Sequence, residues 1–301
     1  MNKVFLCGNP HTDWKPAMLP RIMHGFWEND WIQTDYPNDS EFIYSNDPDS
    51  YKQFLELADL YPNKVKIVNI LDLPDFLPDF PEILERYKKV IDKADIVTSI
   101  SEFVSGQVKK YYNIDSPVIY QPAKNIKVSE VTLQESNNKL KFLAVGRLNS
   151  PNKRSFLIKN LIEKYYNENQ LLSIGSEYMG YGKFGGSVDD KWLNIYYNSA
   201  DFILSPSSFG GIELSIIESF LAKKPVIVCS DCECSMEFAP EFASKEATAE
   251  SMFEKIQDIQ NNRDYYNDII NKYHNQYKIQ FSSHQVVKNI IKIYNDYIEK
   301  V

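Results

Sequence analysis

No run of about 18 apolar residues occurs in the 301-residue sequence, so no membrane-spanning helix is expected. The opening MNKVFLCGNP reads as a first strand rather than a signal peptide. Basic charge is in short supply: 33 Lys and Arg face 41 Asp and Glu, a net charge of −8. Met1–Asn125 holds 19 acidic and 13 basic residues, so the N-terminal half carries most of the excess. A nucleic-acid-binding face is ordinarily basic, so DNA and RNA are not expected partners. Cysteine is limited to Cys7, Cys229, Cys232 and Cys234. The CSDCEC cluster could be read as a metal site, but a tetrahedral zinc needs a fourth ligand and usually two spaced pairs. Small, reduced cytosolic side chains are the plainer reading. No internal repeat or low-complexity tract is visible. What remains, 43% hydrophobic and 25% charged, describes a soluble globular protein long enough for two domains. A cytoplasmic location with at most peripheral membrane contact is expected.

The organising stretch is PSSFGGIELSIIESFLAKKPVI, residues 206–227. A strand (201–205) leads into a turn with Gly210 and Gly211. A helix carrying Ile212, Ser215, Ile216, Ser219, Phe220 and Ala222 then stops near Lys223–Lys224, and Pro225 opens another strand. Free backbone N–H groups and the positive dipole end at such a helix start suit a phosphate. Glu218, about one and a half turns in, could accept hydrogen bonds from paired sugar hydroxyls. The plainer alternative is an ordinary strand–turn–helix unit with a solvated Glu.

Further strands are expected at 3–8, 41–45, 65–71, 140–148 and 171–175, and helices at 51–60, 82–93, 247–261, 264–279 and 284–300. Ser101 is the expected N-cap of the helix that follows 94–100. The segment 123–139 is polar and nonperiodic, which suits a linker. Asp72 closes its strand and could face an acceptor, as could Asn69, because open parallel sheets bind ligands beyond their strands' carboxyl ends. Asp72 could equally begin the Pro-rich loop 71–82, and His11 could be a cleft group or a surface residue. Asp47 and Asp49 form a D-x-D pattern that fits either a metal site or turn chemistry around Pro48. Arg147 and Lys153, six residues apart after a strand, could neutralise a diphosphate or stand as solvated cations, and Arg154 rivals Lys153.

Residues 200–227 resemble, without a gap, the donor-binding segment of glycosyltransferase family four, retaining enzymes of the GT-B fold. Residues 94–122, 140–148 and 184–202 resemble other segments of that family, as does the Phe281-Ser282-Ser283 break. The resemblance departs in several places: the first glutamate of the family's pair falls on Gly210 and Glu213 stands where a glycine is usual; the N-terminal loop lacks Gly-Gly; 231–236 lacks the usual glycines; Lys153 lies six rather than the family's five residues beyond Arg147; and Gln121-Pro122 takes the place of Asn-Pro. It implies an α/β protein of two Rossmann-like domains with parallel sheets facing an interdomain cleft. A short acceptor-side domain would span 1–122, with helix 284–301 packed back on it, and a nucleotide-sugar domain 140–283. The implied reaction moves a sugar from a nucleoside diphosphate sugar, UDP in preference to GDP, to an acceptor hydroxyl with retention and without metal or other cofactor. The acceptor, whether glycan, lipid-linked or protein, is not specified. Arg147, Lys153, Glu213 and Asp72 would serve the reaction, while Gly146, Gly185, Gly186, Phe209, Gly210, Gly211, Ile212 and Glu218 would hold the donor. A catalytically lapsed binding subunit, or a metal-dependent transferase using Asp47 and Asp49, are the alternatives.

Overall fold

A computed structural model describes residues 1–8, 18–46, 48–71, 73, 81–128 and 139–301, together with the side chains there other than those of Met18, Asp49 and Asp190. His11, Asp47, Asp72, Phe76 and Phe80 lie outside the described residues or side chains. The elements run in chain order β1 (Asn2–Cys7), α1 (Met18–Glu28), β2 (Trp31–Gln33), β3 (Phe42–Ser45), α2 (Tyr51–Leu60), β4 (Val65–Ile70), α3 (Pro81–Lys93), β5 (Ile96–Ser99) and α4 (Glu102–Tyr112). They continue β6 (Phe142–Arg147), α5 (Ser155–Tyr165), β7 (Leu171–Glu177), β8 (Lys183–Phe184), α6 (Asp190–Ser199), β9 (Phe202–Leu204), α7 (Leu214–Leu221) and β10 (Val226–Cys229). α8 (Glu233–Phe238), β11 (Ala243–Ser244), α9 (Ala249–Asn261), α10 (Arg263–Gln280) and α11 (Ser283–Ile298) complete the chain.

The chain divides into two compact units, Met1–Pro122 with Gln280–Val301, and Ala123–Ile279. The first holds a five-stranded parallel sheet ordered β2-β1-β3-β4-β5. Its central strands are buried on both faces, as is usual for a parallel sheet. Phe42, Ile43 and Tyr44 are each 1% exposed or less. Ser101 accepts from Val104 N to cap α4, and Asn113, at φ 56, closes it in the left-handed conformation.

α1 and β2 are absent from the sequence reading, which took 8–21 as loop. Pro20 and the neighbouring prolines mask a stripe in which Ile22 and Phe26 are buried and Leu19 and Met23 half-buried. That stripe is recognisable only with its partner, α11, whose Val286, Val287 and Ile290 complete the core around Phe26, Trp31 and Phe42. Gly25 permits the contact: a Cβ there would stand 2.3 Å from Ser283 O and 2.7 Å from Val287 Cγ2.

The second unit carries a six-stranded parallel sheet ordered β11-β10-β9-β6-β7-β8. Counted within the unit, its strands run 6-5-4-1-2-3, the order of a dinucleotide-binding Rossmann sheet, and the order reverses between β6 and β9. Ala123–Val128, in the segment expected to be linker, pack on this unit: Ile126 is buried and Lys127 N donates to Asn194 Oδ1 at 2.8 Å. Residues 231–236, read as a loop, enter α8 at Glu233.

Candidate functional site

Ligands of doubly wound sheets sit beyond the carboxyl ends of the strands where the order reverses. In the second unit that point is bounded by the connection from β6 to α5 and the connection from β9 to α7. The backbone there is shaped by glycine. Gly146 (φ 126), Gly175 (φ 148) and Gly186 (φ 70) all lie in the region that side chains disfavour. A Cβ on Gly175 would meet Gly146 O at 1.9 Å, so β6 and β7 can touch there only through glycine. The β6–β7 register shifts between Val145 and Arg147, a local irregularity that re-aims the strand end. Gly175 N donates to Gly186 O at 3.0 Å and Gly185 N to Ser173 O at 2.9 Å, which holds the Gly185–Gly186 turn on the same rim.

Arg147 ends β6 and is exposed. A 3-10 turn, Pro151–Lys153, follows, and Arg154 at φ 48 reverses the chain into α5. The reversal sends the two neighbouring cations to different partners. Arg154 turns to Asp231 and binds it bidentately at 2.8 and 2.6 Å, and this pairing raises the guanidinium pKa further. Lys153 turns the other way, with its Cε 4.0 Å from a Cβ placed on Gly146. Its ammonium donates to Glu213 Oε1 at 2.7 Å and Oε2 at 2.5 Å.

Glu213 precedes α7, which starts at Leu214; the helix expected to include Ile212 begins two residues later. The Glu213 side chain makes no capping bond to the helix, and the residue is 5% exposed, so it is not the solvated dipole partner that its position suggests. Its carboxylate folds back over Gly210, whose hypothetical Cβ would lie 2.9 Å from Oε1. The acidic group therefore occupies space beside position 210 although it is supplied from position 213.

Two residues on these connections were not singled out from the sequence. Asn152 accepts from Ser208 N at 2.8 Å through its backbone carbonyl and donates from Nδ2 to Phe209 O at 3.2 Å, tying the two connections together. The Ser207 hydroxyl is buried with no hydrogen-bond partner among the described residues. Neither residue type announces such a role in a chain rich in Ser and Asn. Phe209, Gly211 and Ile212 lie on the same β9–α7 connection. Glu218, 6% exposed on α7, accepts from Tyr197 Oη at 3.0 Å.

Cys232 and Cys234 lie against this region and are fully buried; burial pushes both thiols up in pKa, and the Glu213 charge adds to it. Among the described residues no group of three or more His, Cys, Asp or Glu is placed to hold a metal ion. A cavity of about 150 Å³ opens at the amino ends of β6 and β7, beside Lys141 and Gln170. It lies at the wrong end of the strands to share these groups. In the first unit, the carboxyl end of the sheet is backed by a buried network: Tyr44 Oη and Asn69 Nδ2 donate to Asn46 Oδ1, and Thr98 Oγ1 to Asn69 Oδ1. Burial raises the Tyr44 hydroxyl pKa strongly. Asn69, considered as an acceptor-side group, is spent in this network and is fully buried.

No protein-family model matches the chain, and no curated protein matches its sequence. Solved structures do match in fold. The Anabaena protein Alr3699/HepE in complex with UDP is 12% identical over 98% of this chain and all of its own, at a TM-score of 0.77. The same protein in complex with UDP-glucose aligns at 0.74. Sucrose-phosphate synthase from Thermosynechococcus elongatus is 13% identical over the full length of both chains, at 0.82. These likenesses, with the two parallel α/β sheets, make the fold GT-B.

Proposed function

We infer that this chain is a glycosyltransferase that takes a nucleoside diphosphate sugar, UDP-linked, at the carboxyl end of the second unit's sheet. The observation that carries the reading is the placement of Lys153 beside Gly146, Gly210 and Glu213 where a Rossmann sheet reverses its strand order. The fold neighbours include a sucrose-phosphate synthase, and two of the solved structures hold UDP or UDP-glucose. The likeness of 200–227 to family four supports retention of configuration and reaction without metal.

In that reaction the bond from the anomeric carbon to the β-phosphate oxygen breaks, and its electron pair stays on the departing diphosphate. The acceptor oxygen bonds to the same carbon and gives up its proton. Charge grows on the diphosphate, so fixed cations there act mainly on the transition state. Arg147 and Lys153 supply that charge, Glu218 holds ribose hydroxyls, and Glu213 takes over the sugar-facing place of the family's first glutamate. The Gly185–Gly186 rim borders the base. Asp72 is proposed on the acceptor side.

One observation favours a second reading, a lapsed enzyme that only binds. Lys153 already has a carboxylate partner, so part of the phosphate-binding charge is neutralised. Incubation of the protein with a panel of nucleoside diphosphate sugars, with release of the nucleoside diphosphate and NMR of the product anomer as readouts, separates the two. Turnover with a retained anomer supports the transferase. Ligand binding without turnover of any donor supports the lapsed form.

A further inference from the structure

We propose that Glu213 shifts the site's preference toward the uncleaved donor and away from the spent nucleoside diphosphate, by repelling the extra charge that the reaction leaves on the terminal phosphate. The proposal rests on the transferase reading and adds a role for this chain's own ion pair. The geometry requires the conflict. Both Glu213 oxygens lie within 2.7 Å of the Lys153 ammonium, so a phosphate oxygen at about 2.9 Å from the same ammonium stands within about 5.6 Å of the carboxylate. Glu213 is 5% exposed, so water screens that repulsion poorly. A glycine at 210 leaves the carboxylate the space to lie there, and Asn152 and the Arg154–Asp231 pair fix the loop that presents Lys153.

A nucleoside diphosphate sugar carries two negative charges, one on each phosphate. The nucleoside diphosphate product carries close to three at neutral pH, because a terminal phosphate loses its second proton near pH 6. The donor's sugar hydroxyls can also donate to Glu213, which the product lacks. The carboxylate therefore penalises product more than donor. One charge repelled across this distance in a partly buried site is worth at least about tenfold in affinity.

Titration calorimetry of the wild-type protein and Glu213→Gln with UDP and with UDP-glucose tests it, Gln keeping shape and removing charge. The expected result is a rise of about tenfold in the variant in the affinity for UDP relative to that for UDP-glucose. A ratio of the two affinities that is the same in both proteins overturns the proposal while leaving the transferase reading intact. Failure of the wild-type protein to bind either ligand overturns both. Should Glu213→Gln not fold, Glu213→Gly is measured in the same way, and a UDP to UDP-glucose affinity ratio equal to that of the wild type overturns the proposal.

Discussion

At the scale of single residues, the site turns on where charge is placed. Arg147→Ala is expected to lower turnover by about 100- to 1000-fold, the scale for removing one group that stabilises developing charge. A steady-state assay with near-normal kcat would remove Arg147 from the reaction. Exchanging the acidic position, Gly210→Glu with Glu213→Gly, should restore turnover to within about tenfold of wild type, because the carboxylate already lies over position 210. Glu213→Gly alone should fall below the double variant, and equal rates would mean that the carboxylate is idle. The sequence made Lys153 and Arg154 rivals, since a single-residue difference in spacing decides nothing in an irregular turn. The left-handed Arg154 and its pairing with Asp231 separate them, and the pairing depends on a residue 77 positions away in sequence. Glu213 was legible as a departure from a motif, but its inward fold was not, because helix-start carboxylates ordinarily face water.

At the scale of elements, two glycines give contrasting tests. Gly25→Ala forces a Cβ into the backbone of α11 and should cost about 1–3 kcal/mol of stability, as overpacking does, read as a lower denaturation midpoint. UDP affinity should be unchanged, because the proposed donor site lies in the other unit. Gly175→Ala places a Cβ 1.9 Å from Gly146 O at a φ of 148, so it should cost stability and also weaken UDP binding, because β6 must shift at its carboxyl end. Equal UDP affinity in Gly175→Ala and wild type would separate the β6–β7 contact from the site. Strongly periodic or continuous apolar elements such as α2 and β4 were readable in the sequence. α1, β2 and α8 were not: two are three- and six-residue elements, and α1 shows its apolar stripe only against α11.

At the scale of the whole molecule, short apolar runs marked individual strands such as β1 and β4, while the pair of parallel α/β domains was expected from the resemblance to family four. Strand order did not follow from composition; the Rossmann order of the second unit emerges from the register of β6 against β9 and β7. That order is the reason the proposed site is placed at Lys153 and its neighbours rather than at the amino-end cavity. A ligand that binds only the folded protein raises its melting temperature, so UDP should stabilise the chain, and chelation should leave this stabilisation in place. The most direct measurement is the UDP affinity of wild-type protein against a variant carrying both Arg147→Ala and Lys153→Met, by titration calorimetry at fixed salt, with folding verified by circular dichroism. The account predicts one site per chain in the wild-type protein and a loss of at least about 100-fold in the variant. Equal affinity in the two proteins, or no binding to the wild type, would contradict it.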